Sequence, residues 1–259
     1  MGKVTDRYDD QNLIKLAKQQ YTDKKISKLP SDIIPLPSKG VIYPVDSPLR
    51  QGHVELRQMT AYDEDILTNI SYIRENVVFE KLLESLVTSD HNISELANFD
   101  REALLINARI SAYGSDYPII AIHPETKKET KTNINLSELQ YKSLNLDTDD
   151  NGDCTYICED KTVIKFTYAP DQSKYDQSPD KIISSFLSSI ITQINDSRDR
   201  NDIDEFIKYK FPFKESKKFQ NYVTSNMPGL IKNIEIKGDD GGTFTAGFQI
   251  GSDLFWPNP

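Results

Sequence analysis

The sequence predicts an α+β protein in which helix groups are each followed by an antiparallel β-hairpin, arranged as two subdomains. Two observations carry this. Apolar residues recur at helical spacing over about 60–113 and again over about 179–225. Each of these stretches then gives way to period-two alternation across a polar or glycine-rich turn. Proline clustering near the start and a polar stretch after Pro170 set the expected boundaries. These are an N-terminal helical arm with a Pro-rich connector at 1–48, a core domain at 49–170 and a C-terminal domain at 171–259.

The first expected element is a helix over residues 9–25, with Leu13, Leu16, Ala17 and Tyr21 at helical spacing, stopped by Pro30. Pro30, Pro35, Pro37, Pro44 and Pro48 then make up five of the 13 prolines. A fixed φ and an extended predecessor at each of them predict an extended connector. Gly52–Met59 alternates as a strand. Thr60-Ala61-Tyr62-Asp63 has capping-box spacing and opens a helix, with acids in its first turn. A second helix carries Phe79, Leu82, Leu83 and Leu86, and a third runs from about Asp100 to Tyr113, with Gly114 as a left-handed C-cap. Hairpins are expected at Tyr117–Ile122 with Glu129–Leu136, at Thr155–Ile157 with Val163–Tyr168, and at Ile231–Ile236 with Thr243–Ile250. The helices between the last two fall at about 179–194, 201–209 and 214–225. The endings Ile134-Asn135-Leu136-Ser137-Glu138-Leu139 and Gln249-Ile250-Gly251-Ser252-Asp253-Leu254 echo one another, as a worn duplication would.

Composition narrows function. With 31 basic against 40 acidic residues the formal charge is −9, and a nucleic-acid partner is not expected without a concentrated basic face. The Lys15–Lys28 and Lys127–Lys131 stretches read as solvated faces. The chain opens without an apolar leader, and its apolar runs fall far short of the roughly 20 residues that span a bilayer. A soluble protein with no membrane partner is expected. Two cysteines do not make a disulfide framework.

No catalytic, cofactor or metal residues are assigned. Asp147-Thr148-Asp149-Asp150-Asn151-Gly152 matches the first half of a calcium loop, but Cys158 stands where the bidentate glutamate belongs. An acidic turn is the expectation. On a strand, Cys154 and Cys158 lie ~13 Å apart, too far for a disulfide or a shared metal; on a loop they could meet, but no second Cys/His pair completes a zinc site, and they read as half-buried apolar groups. His53, His91 and His123 are scattered, and no nucleophile elbow, zinc-protease helix, phosphate loop or dinucleotide fingerprint occurs. Arg109 reads as a structural ion-pair partner.

Contact surfaces are better marked. The arm offers Leu13, Leu16 and Tyr21; the connector offers Pro37, Gly40, Tyr43 and Pro44; the end of the chain offers Phe255 and Trp256, the single tryptophan.

Leu36-Pro37-Ser38-Lys39-Gly40-Val41-Ile42-Tyr43-Pro44 followed by Val54-Glu55-Leu56-Arg57-Gln58-Met59-Thr60-Ala61-Tyr62-Asp63-Glu64-Asp65-Ile66-Leu67 resembles the baseplate hub and hub-assembly proteins of T-even-type contractile-tailed bacteriophages. The resemblance continues through Asp100–Ile106, Arg109–Gly114, Asp204–Ile207 and Phe255-Trp256-Pro257, over about residues 36–259. Related proteins often carry C-x-x-C pairs at the hairpin turns, where this chain has His123-Pro124-Glu125-Thr126 and Gly238-Asp239-Asp240-Gly241. Ordinary hairpin packing is expected in place of a metal clip. The resemblance implies a non-enzymatic assembly factor that binds hub or wedge subunits in the host cytoplasm, with self-association as a further option. The alternative it implies is a permanent subunit of the virion baseplate. A tail-tip hydrolase and a calcium module are rivals from other classes.

Overall fold

Proline shapes the first element in a way the connector expectation missed. In the computed structural model, which describes residues 29–89, 91–170, 182–237, 242–247, 250 and 254–256, strand β1 (Ser31–Pro35) pairs antiparallel with β2 (His53–Arg57). The register runs from Ser31 opposite Arg57 to Pro35 opposite His53. The following chain turns sharply, with Lys39 at φ 54° and Gly40 at φ 77°. A single 3-10 turn, Pro48–Gln51, capped by the Ser47 side chain, returns it to β2. A Cβ on Gly40 would lie 2.5 Å from the Arg50 carbonyl oxygen, so only glycine fits this crossing. Residues 30–48 are therefore a strand and a folded loop, with Leu36, Ile42 and Tyr43 in the core. The residues read as the arm helix, including Leu13, Leu16 and Tyr21, lie outside the described residues, as do those of the 171–178 linker and the 238–241 turn.

Helix α1 (Ala61–Leu67) starts at the predicted cap, where Asp63 Oδ2 accepts from the Thr60 backbone N–H at 2.7 Å. A helix not foreseen, α2 (Ile70–Arg74), follows, its first N–H groups satisfied by the Asn69 side chain at 3.0 and 3.3 Å. Helix α3 (Val78–Leu86) buries Val78, Leu82, Leu83 and Leu86, one stripe at helical spacing. Helix α4 (Asn98–Tyr113) begins two residues before the expected start and ends at Gly114. That glycine has φ 83° and ψ 172°, a conformation open to glycine but outside the left-handed helical region that was expected.

The first hairpin forms as predicted: β3 (Asp116–Ile122) pairs with β4 (Glu129–Asn135) in register from Asp116–Asn135 to Ile122–Glu129. A two-residue strand, β5 (Tyr141–Lys142), comes next. The second hairpin, β6 (Cys154–Ile157) with β7 (Val163–Phe166), is widened to three strands. The third comes from a segment read as helix: α5 (Ile182–Ile190) passes directly into β8 (Ile191–Ile194), which lies along β7. Ile191 and Ile194 are buried there, and β-branched side chains suit such a strand. Helix α6 (Arg200–Glu205) loosens into a π-turn, Phe206–Lys210, before α7 (Phe213–Asn226). A two-residue strand, β9 (Gly229–Leu230), pairs with β5. The last hairpin is β10 (Asn233–Lys237) with β11 (Thr243–Gly247).

The α+β class predicted from sequence is the observed one. The helix groups and their small antiparallel sheets share a single hydrophobic cluster running from Ile34 to Phe255. Aromatic rings fill the C-terminal part of it. Phe166 meets Phe219 edge-on at 5.3 Å, Tyr156 lies 5.3 Å from Phe219, and the buried Tyr168 hydroxyl donates to the Val223 carbonyl at 2.9 Å. The two halves also touch through Gly229, where an added Cβ would sit 2.7 Å from the Phe99 Cβ. The first and last hairpins meet over a second, smaller cluster of Ala121, Ile236, Phe244 and Ala246. The His123 ring at the first turn packs on Phe244 at 4.8 Å, while its Nδ1 accepts from the N–H groups of Glu125 and Thr126. At this end of the molecule an imidazole and an aromatic ring organise the turn.

Candidate partner-binding surfaces

The connector residues nominated as contact surface are mostly spent on the fold. Tyr43 is buried, and its hydroxyl donates to Asp100 Oδ2 at 2.6 Å while accepting from the Ala97 N–H at 3.0 Å. Ser38 donates to the same carboxylate twice, from its backbone N–H at 3.0 Å and its hydroxyl at 2.7 Å. Burial pushes the Asp100 carboxyl above its usual range, against the opposing pull of these bonds. Burial, reinforced by the neighbouring Asp100 charge, pushes the Tyr43 phenol far up as well. Pro37 and Gly40 are buried beside this network, and only Pro44 of the four is exposed. The alternation of prolines and apolar residues that suggested an external ligand strip is matched by an internal acceptor, Asp100 on α4.

The C-terminal pair divides its roles. Phe255 is buried, its ring 5.9 Å from Phe79 and 6.5 Å from Tyr113. Trp256 is 39% exposed. Arg109 holds the segment in place: its Nε donates to the Leu254 carbonyl at 3.1 Å and its Nη1 to the Gly114 carbonyl at 3.2 Å. The guanidinium also stacks 4.6 Å above the Tyr113 ring. Arg109 was expected to pair with an acid; it clasps two carbonyls and an aromatic face instead. Burial lowers its pKa, partly offset by Tyr113 and Tyr117. Phe255 thus docks in cis, and Trp256 and half-exposed Tyr113 face outwards.

One exposed apolar helix surface went unnoticed in sequence. None of the five residues of α2 is buried; Ile70 is 71% and Ile73 48% exposed. Tyr62 on the adjoining α1 is also exposed. The signal was present as Asn69 followed by isoleucines three apart, but a five-residue helix is too short to register as a periodic segment.

The remaining nominees have structural partners. Asp149 in the acidic turn accepts from the N–H groups of Asn151 at 2.9 Å and Asp153 at 3.1 Å, and pairs with Lys165 at 2.5 Å. Gly152 turns at φ 80° directly against the Ile42 carbonyl, so this loop is a wall of the core. Among the described residues no group of three or more His, Cys, Asp or Glu side chains is placed to hold a metal. His53 Nδ1 lies 3.1 Å from the Gln51 carbonyl, and no described helix is long and apolar enough to cross a membrane.

Both cysteines are free and fully buried, beyond the half-burial expected. Burial, with nearby acids, pushes the Cys154 thiol up to about 12 and the Cys158 thiol up to about 11. Thiolate is the reactive form. Iodoacetamide at pH 8 is expected to leave both unmodified in the native protein and to alkylate both in urea, as read by intact mass. Rapid native alkylation of either would contradict this packing.

The molecule is thus an α+β protein whose small sheets and helices share one core. It belongs to the T4 bacteriophage base plate protein family, whose model matches residues 41–245. It is therefore a T4-type phage base-plate protein, which the resemblance of the 36–67 segment anticipated. No curated protein and no solved structure matches the chain significantly.

Proposed function

We propose that this base-plate protein is a non-enzymatic assembly factor of the hub. It works in the host cytoplasm, binding hub or wedge subunits and covering their surfaces until assembly is due. The observation that carries the reading is α2, a helix that rests on the core through half-buried Tyr72 and turns Ile70 and Ile73 outward. An apolar face on a helix that buries none of its own residues is suited to a partner. Trp256 and Tyr113 supply a second set of aromatic anchors of the kind that dominate interfaces. A hydrophobic content of 37% favours a factor that stays in solution between encounters over a permanently clamped subunit.

Quantitative mass spectrometry of purified virions against infected-cell lysate tests this. The expected result is abundant protein in the lysate and none in the virion. A fixed copy number per virion would replace the assembly factor with a permanent baseplate subunit.

A further inference from the structure

A second surface, unlike the first in chemistry, is built where α6 loosens into α7. The sequence there is Phe206-Ile207-Lys208-Tyr209-Lys210-Phe211-Pro212-Phe213-Lys214-Glu215-Ser216-Lys217-Lys218. Phe206 and Phe219 are buried, and Phe211 bridges them at ring distances of 4.9 and 6.0 Å. With these three rings anchored inwards, the π-turn and Pro212 leave Tyr209 and Phe213 pointing out, 71% and 79% exposed. Single π-turns within helices are frequent at functional sites.

The lysines sort into two sets. Lys210 pairs with Glu205 at 2.9 Å, and Lys218 pairs with Glu159. Lys208, Lys214 and Lys217 have no carboxylate within ion-pair distance among the described residues. Lys208 Nζ sits 4.8 Å from the Tyr209 ring centre and Lys217 Nζ 5.8 Å from that of Phe213. Lys214 lies within electrostatic reach of Glu159, and Lys217 donates to Gln220 Oε1 at 3.4 Å. Two outward rings therefore stand among three ammonium groups that form no ion pair among the described residues, on a chain whose net charge is −9.

That contrast of local and global sign selects the partner. An extended polyanion, whether nucleic acid or anionic bilayer, would meet the patch favourably and the rest of the chain unfavourably. Single strands also favour a basic groove, and these rings protrude. A short acidic segment of a protein satisfies the lysines locally and supplies a pocket for the rings. We infer that Tyr209 and Phe213, flanked by Lys208, Lys214 and Lys217, dock an acidic, pocket-bearing segment of another base-plate protein. This rests on the partner-binding reading above, but not on whether the chain leaves before the virion is complete.

The test is a photo-crosslinking phenylalanine analogue at position 213 of the full chain in phage-infected cells. One defined protein adduct is expected, with carboxylates in the crosslinked peptide. Lys208→Glu/Lys217→Glu should cut its yield by at least about tenfold, since like charges brought together at an interface oppose association. Lys131→Glu on the first hairpin should leave it unchanged. All these positions are exposed, so the melting temperature should not move, and that scan controls for folding. An adduct to lipid or nucleic acid, an adduct indifferent to charge reversal, or no adduct overturns the inference. A fixed virion copy number would overturn the assembly-factor reading and leave this surface standing.

Discussion

Asp100→Ala is expected to lower the free energy of unfolding by about 4 kcal/mol, because it strands several buried donors at once. The carboxylate takes the Ser38 N–H, the Ser38 hydroxyl and the Tyr43 hydroxyl, at 3.0, 2.7 and 2.6 Å, and both residues are buried. The Ser38 hydroxyl in turn accepts from the Gly40 N–H at 3.0 Å, so the loop between β1 and β2 loses its internal template as well. The pH dependence distinguishes this site from an ordinary packing defect. Because burial raises the folded-state pKa of Asp100, its contribution is full below the unfolded carboxyl value and shrinks as pH rises through the folded one. The loss measured by urea denaturation should therefore be larger at pH 4 than at pH 8. A penalty below about 1 kcal/mol would mean that water or another side chain replaces the carboxylate.

Asp63→Ala should have a comparable effect, about 4 kcal/mol, with the opposite pH signature. Asp63 and Arg57 form a two-pronged pair at 2.7 and 2.8 Å, with both side chains almost completely buried. Asp63 also accepts from the Ser85 hydroxyl at 2.8 Å and caps α1 through the Thr60 N–H. Truncation leaves a buried guanidinium without its counter-charge, which is the costly way to break such a pair. Burial alone would raise the Asp63 carboxyl, but the Arg57 bond, with Ser85 and Thr60, outweighs it and holds the pKa below its usual value. Stability from this group is present above the unfolded carboxyl pKa and is lost as pH falls through the lowered folded one. The penalty of Asp63→Ala should thus be larger at pH 7 than at pH 3. Arg57→Met/Asp63→Leu should recover much of the loss, since apolar residues of similar volume often replace a buried pair at little cost. If the double variant is as unstable as the single, the stranded-charge explanation fails.

These two carboxylates show what the sequence displayed and what it hid. Asp63 was visible as a capping residue because the cap is local: Thr60 and Asp63 lie three apart. Its partnership with Ser85 across 22 residues was not. Asp100 marked only the approximate start of the third helix, and its grip on a loop 62 residues upstream cannot be read from spacing. For the same reason the proline-rich segment was read as a connector. Proline chemistry sets the local backbone, while burial of Leu36, Ile42 and Tyr43 depends on α4. The α3 stripe and the first hairpin were legible because their periods are strong and their turns polar. The passage from α5 into β8 was not, because Ile190 and Ile191 suit either element and only pairing with β7 decides. Trp256 was named from sequence and is partly exposed, whereas the outward projection of Tyr209 and Phe213 was missed. Its lysines and rings alternate openly in the sequence, but which rings turn inwards is set by Phe206 and Phe219.

The two-residue strands β5 and β9 carry a kinetic consequence. Tyr141 pairs with Leu230, and Arg109 reaches across 145 residues to the Leu254 carbonyl. Contacts so distant along the chain close slowly, because the intervening loop must first be brought to order. On the ribosome, α4 emerges long before Leu230 and Phe255 exist to cover it. The nascent chain must then carry Phe79, Phe99 and Tyr113 without these partners until residues 229 and 255 have been added.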